Sequence, residues 1–83
     1  MIMSIRVLFF ASLADIAGGR SRQVEAAEVT DVLSVFNRFA EEFPEMEAHR
    51  PSILFALNKE FTRPDAAVRD GDEIAFLPPV SGG

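Results

Sequence analysis

The chain contains no cysteine. That one absence excludes disulfides, thiolate metal sites and cysteine nucleophiles together. It fits a cytosolic protein, and an activated group carried by this chain cannot sit on a thiol of its own. No Gly-rich phosphate loop, Walker pattern or Ser-His-Asp set is present either. The one histidine, His49, falls in a polar stretch with no second ligand or nucleophile beside it. It reads as a solvated loop residue, and no metal site is expected. Long apolar runs are missing, so nothing spans a bilayer. Residues 7–14 (VLFFASLA) follow Arg6 and faintly echo a signal-peptide core, but Asp15 closes the run and no small-residue cleavage pattern follows. Basic charge is scarce: eight Lys and Arg face 13 Asp and Glu, a net charge of -5. Nucleic acid and anionic membranes are therefore not expected partners, whereas a basic protein surface is a better match.

What is present suffices for one core. The chain has 83 residues, 48% of them hydrophobic, with eight Phe. That is the size of one domain, here read as residues 1–83. A domain so small buries only about 60% of the surface its unfolded chain exposes, leaving little room for a deep catalytic pocket.

Residues 4–10 are dense in β-branched and aromatic side chains and read as a strand. Side chains alternate faces along a strand, which sets Val7 and Phe9 against Leu8 and Phe10. Residues 15–21 hold Gly18-Gly19 and read as a turn, and residues 22–27 as a weak second strand. Thr30 is placed as the helix N-cap with Asp31 in the first turn; counted from Thr30, position 33 carries Leu and no capping-box partner. Val32, Val35, Phe36, Phe39, Ala40 and Phe43 then recur every three or four residues, the apolar stripe of an amphipathic helix. Arg38, Glu41 and Glu42 fall on its wet side, and Pro44 ends it. Residues 44–52 read as irregular. Residues 53–57 and 60–62 read as strands around an Asn58-Lys59 turn, and 63–69 as loop. Asp70-Gly71-Asp72 is a turn signal, and its carboxylates are assigned to turn formation rather than to metal. Residues 73–77 form the last strand. Pro78-Pro79 end the sheet, leaving residues 78–83 as a flexible tail.

This order predicts an α+β domain with a mixed sheet and one main helix across one face. A first hairpin, a crossing helix and a returning last strand describe a β-grasp. Two features remain for function. The tail ends in Gly82-Gly83. Glycine has no Cβ, so such an end can thread a narrow channel and present its carboxylate to chemistry inside another protein. The second feature is surplus apolar surface. If Val7, Phe9, Ile74 and Phe76 form the core, then Leu8, Phe10, Ala75 and Leu77 face away from the helix, with Phe61 as an added member. Loop-covered core and a protein-docking patch beside the tail both satisfy that pattern; docking is favoured.

The closing run Asp70-Gly-Asp-Glu-Ile-Ala-Phe-Leu-Pro-Pro-Val-Ser-Gly-Gly83 and the opening Ile5-Arg-Val-Leu-Phe-Phe-Ala11 resemble the molybdopterin synthase small-subunit family of sulfur carriers. The resemblance spans the chain in element order and is specific at the two ends; Ser81 stands where Thr is frequent. It implies a ubiquitin-like β-grasp. It implies that the Gly83 carboxylate, with Gly82 before it, is adenylated with ATP by a partner resembling the ubiquitin-activating enzymes. A sulfur donor protein then converts it to a thiocarboxylate. The tail would enter the large synthase subunit and pass sulfur to cyclic pyranopterin monophosphate, in a cytoplasmic heterotetramer. Phe10, Phe61 and Leu77 correspond to the family's subunit contact, and Pro78, Pro79, Val80 and Ser81 carry the tail into the partner. No cofactor is bound permanently, and the chain performs no catalysis alone. A carrier for thiamine or tRNA thiolation, a ubiquitin-like protein modifier and a plain binding module remain as alternatives.

Overall fold

The computed structural model describes residues 3–79. Val80, Ser81, Gly82 and Gly83 lie outside the described residues. The elements in chain order are β1 (Ser4–Phe9), α1 (Ser12–Ala17), β2 (Ser21–Glu25), α2 (Val32–Glu42), β3 (Leu54–Leu57), β4 (Glu60–Thr62) and β5 (Glu73–Leu77), with 3₁₀ turns at Ala26–Glu28 and Pro44–His49. The five strands form one mixed sheet in the order β2-β1-β5-β3-β4. β1 and β5 run parallel, and every other pair is antiparallel.

Alternation along β1 buries Ile5, Val7 and Phe9, and along β5 it buries Ile74 and Phe76. Both rows meet the stripe of α2, where Val32, Val35, Phe36, Phe39 and Ala40 are buried. The contact is largely aromatic. Phe9 meets Phe39 edge-on at 5.1 Å between ring centroids, and Phe36 meets Phe76 at 5.4 Å. Such pairs add roughly 0.5–1.5 kcal/mol beyond the area they bury.

Several expectations shift. The segment read as a turn from Asp15 begins inside the short helix α1, which spans Ser12–Ala17. Its buried residues, Leu13 and Ala17, sit four apart, and Gly18 closes it in the left-handed conformation at φ 75°. The glycine pair is therefore a helix end: the Gly18 and Gly19 N–H groups return to the Asp15 and Ala14 carbonyls. β2 begins at Ser21 and stops at Glu25, two residues before the predicted end, because residues 26–28 turn into a 3₁₀ helix. β1 ends at Phe9 and β3 begins at Leu54, each one residue short of its predicted limit. Residues 44–49 are helical rather than irregular, and they sink Met46 fully into the core. His49 closes that turn, half-buried, with its carbonyl accepting from the Ser52 and Ile53 N–H groups.

The N-cap of α2 is Asp31, not Thr30. The Ser34 N–H donates to Asp31 Oδ1 at 2.8 Å, and the Asp31 N–H donates back to Ser34 Oγ at 3.1 Å. Ser34 thus fills the capping-box role that Glu or Gln usually takes. The predicted loop of residues 63–69 completes this end: the carbonyls of Pro64 and Ala66 accept from the Leu33 and Val32 N–H groups. Asp31→Ala should cost about 1 kcal/mol of stability, because the Ser34 N–H loses its acceptor. Urea unfolding reads this, and an unchanged midpoint would contradict the cap assignment.

Candidate functional site: an apolar groove beside the tail exit

The helix covers one face of the sheet only. On the other face the strand register aligns one row from four strands. Leu8 pairs with Ala75, Ala75 with Ala56, and Ala56 with Phe61. Two alanines form a floor between a leucine and a phenylalanine. The result is an open groove of about 310 Å³ lined by Leu8, Phe10, Ala56, Lys59, Phe61, Glu73, Ala75 and Leu77. Phe61 is 74% exposed, Phe10 45% and Leu54 43%. An isolated exposed apolar side chain needs no explanation, but a contiguous set around a groove marks an interaction surface.

The outward set expected from alternation is therefore in place. Leu8, Phe10, Ala75 and Leu77 share this face, and among the described residues no loop closes over them. Phe61, from the far strand, joins the same groove. Ala56, Lys59, Leu54 and Glu73 complete the surface and were not singled out from the sequence. Alternation along β3 was the available signal, since Phe55 packs toward the core and sets Leu54 and Ala56 opposite.

The groove also has a direction. Because β1 and β5 are parallel, their C-terminal ends lie at the same edge of the sheet. The Phe10 N–H donates to the Phe76 carbonyl at 3.2 Å, extending the ladder one step past β1. Pro78-Pro79 therefore leave the sheet next to Phe10, with Leu54 across from Leu77. Neither proline lines the groove. At the opposite end the character is ionic: Arg6 lies 4.0 Å from Glu73.

The acidic turn before β5 does structural work. Asp70 Oδ1 accepts from the Ser4 N–H at 2.8 Å, and Asp72 Oδ2 accepts from the Arg69 N–H at 2.8 Å. Gly71 between them adopts φ 87°, which glycine takes without strain. Among the described residues no group of three His, Asp or Glu is placed to hold a metal ion. Away from the groove, Arg50 donates to both Glu47 oxygens, which holds the Glu47 carboxyl below its usual value and the guanidinium above its own. The same guanidinium sits 4.9 Å from the Phe36 ring centroid, an arrangement that seals the core rather than one that opens a site.

Residues 7–83 match the family model described as the ThiS family. The chain belongs to the ThiS family. Within it, the molybdopterin synthase sulfur carrier subunit of Chlamydomonas reinhardtii is 34% identical over 83 residues, covering 98% of this chain and 100% of that one. The resemblance carried by the two ends of the sequence is thus borne out along the whole chain. The crystal structure of small archaeal modifier protein 1 from Haloferax volcanii superposes with a TM-score of 0.81 at 30% identity, covering 96% of this chain and 99% of that one. A chain in the complex of subunits 1 and 2 of molybdopterin-converting factor from Helicobacter pylori, at 24% identity, shares the fold with a TM-score of 0.67 over 98% and 100% of the two chains. The architecture of this ThiS-family chain is the ubiquitin-like β-grasp expected from the element order.

Proposed function

We propose that this chain is the sulfur carrier subunit of a molybdopterin synthase, with the Gly83 carboxylate as its working group. The observation that carries the reading is spatial. An open apolar groove lies at the point where a chain ending in Gly-Gly leaves the sheet. Full-length similarity to a curated subunit of that name supports it, and the family match runs through Gly83.

The chemistry follows from the carboxylate's inertness. It attacks the α-phosphorus of ATP in an adenylating partner that resembles the ubiquitin-activating enzymes, and pyrophosphate leaves. A sulfur donor protein supplies sulfide-level sulfur, which displaces AMP and leaves a thiocarboxylate. The large synthase subunit docks on the groove through Phe10, Phe61 and Leu77, while residues 78–83 carry the loaded end into its active site. Sulfur then passes to cyclic pyranopterin monophosphate, and hydrolysis restores the carboxylate for reloading. Docking makes this last step intramolecular in effect, which removes the cost of bringing two reactants together. Two carriers and two large subunits complete the assembly. ATP-dependent activation puts the work in the cytoplasm; among the described residues no helix is long and apolar enough to cross a membrane.

Intact mass spectrometry tests the reading after incubation with the adenylating enzyme, ATP and a sulfur donor. The expected shift is one oxygen replaced by one sulfur, lost again on adding large subunit and pterin precursor. A shift that persists would assign the carrier to another sulfur pathway. A stable isopeptide adduct in place of the shift would favour protein modification, the activity named for the archaeal neighbour.

A further inference from the structure

The chain has a single lysine, Lys59, in a molecule of net charge -5. It lines the docking groove next to Phe61. Its backbone is held where glycine would be the easier choice. Asn58 and Lys59 join β3 to β4 with φ values of 52° and 71°, so both central residues of this two-residue hairpin are left-handed. Asn-Gly is the favoured pair for such a turn, because the second position penalises a Cβ. Local stability therefore favours glycine at position 59, and something other than the turn must account for lysine.

The turn is also held rigidly. Asn58 Nδ2 donates to Asp72 Oδ1 at 3.0 Å, the Glu73 N–H donates to Asn58 Oδ1 at 2.9 Å, and the Asn58 N–H donates to the Glu73 carbonyl at 2.7 Å. These bonds tie the hairpin to the start of β5 and fix the lysine backbone at the groove rim. The nearby carboxylates are engaged elsewhere. Glu73 faces Arg6, and Asp72 accepts from Asn58 and Arg69. Glu60 pairs with Leu57, whose side chain packs on the core face, so Glu60 projects away from the groove. The ion pairs among the described residues all use arginines; none uses Lys59. The rim thus presents an ammonium with no ion-pair partner among the described residues, on a preorganised turn, beside an exposed aromatic ring.

We infer that Lys59 is a specificity-determining residue of the docking groove, where its ammonium receives a carboxylate of the partner beside the apolar side chain that packs on Phe61. The occupant is a segment of the large synthase subunit that presents an Asp or Glu next to a bulky apolar residue. This rests on the docking role proposed above and adds the charge recognition that accompanies it. A rim charge acts mainly on encounter, and salt screens it.

The test is association of the full chain with the large subunit by stopped-flow fluorescence across a sodium chloride series. Lys59→Gln should slow association about three- to tenfold at low salt and converge on the unsubstituted chain at high salt, with an unchanged melting temperature. Lys59→Arg should restore the low-salt rate. Lys59→Gly should melt higher yet associate as slowly as Lys59→Gln, which separates recognition from turn stability. If Lys59→Gln associates normally at low salt while Phe61→Glu does not bind, the lysine assignment is overturned and the groove stands. If the unsubstituted chain does not bind the large subunit, the docking reading falls and this proposal falls with it.

Discussion

Adding one residue after Gly83, or replacing Gly82 with tryptophan, is expected to abolish sulfur transfer while leaving the melting curve unchanged. Both changes act where the carboxylate must enter another protein's active site. An added residue moves the reactive carbon beyond the position where the adenylating enzyme and the large subunit hold it. Misplacement by about 1 Å can cost on the order of a hundredfold in rate, and a whole residue displaces the group by about 3.5 Å. Tryptophan at position 82 introduces a side chain into a path that glycine passes without one. Among the described residues the core around Phe36 and Phe76 is built by side chains from Ile5 to Phe76, so stability should be indifferent. Single-turnover transfer assays beside thermal melting read both effects. Full activity of the extended chain would remove the terminal carboxylate from the mechanism.

Two phenylalanines on opposite faces of the same sheet should respond in opposite ways. Phe76 is fully buried and meets Phe9, Phe36 and Phe55 at centroid distances of 5.4 to 5.7 Å. Phe76→Ala should cost about 3–5 kcal/mol, much of the stability a domain of this size has. Phe61 is 74% exposed on the groove rim. Phe61→Glu should change stability by no more than about 0.5 kcal/mol, as surface substitutions do, yet weaken binding to the large subunit by about 30-fold or more. Calorimetric titration of the complex and urea unfolding of the free chain separate the two quantities. A loss of stability in Phe61→Glu approaching that of Phe76→Ala would mean that the outer face is core.

The elements with a long repeat are legible in the amino-acid sequence. The stripe of α2 extends over three turns, and β1 and β5 alternate cleanly, so periodicity identified both their type and their buried side. Shorter pieces escaped for the same reason. α1 has six residues, less than two turns, and its buried Leu13 and Ala17 give only one repeat. The 3₁₀ turn holding Met46 has no period to read. The cap moved from Thr30 to Asp31 because both types suit the position, and only the reciprocal bonds with Ser34 decide between them.

The site divides along the same line. Its outward residues on β1 and β5 were readable from alternation, a local property of each strand. Its closing residues were not. Ala56 meets Ala75 because β3 pairs with β5 across 18 intervening positions of sequence, and Lys59 reaches the rim because an Asn58 side chain is bonded to Asp72 and Glu73. By itself, then, the amino-acid order determined the class of fold, the buried face of each long element and the Gly-Gly end, since these depend on local periodicity and composition. Tertiary structure alone decided that Ala56 and Lys59 join Ala75 and Phe61 in one groove at the tail's exit, because strand order and register are set by how the whole core packs rather than by any one segment.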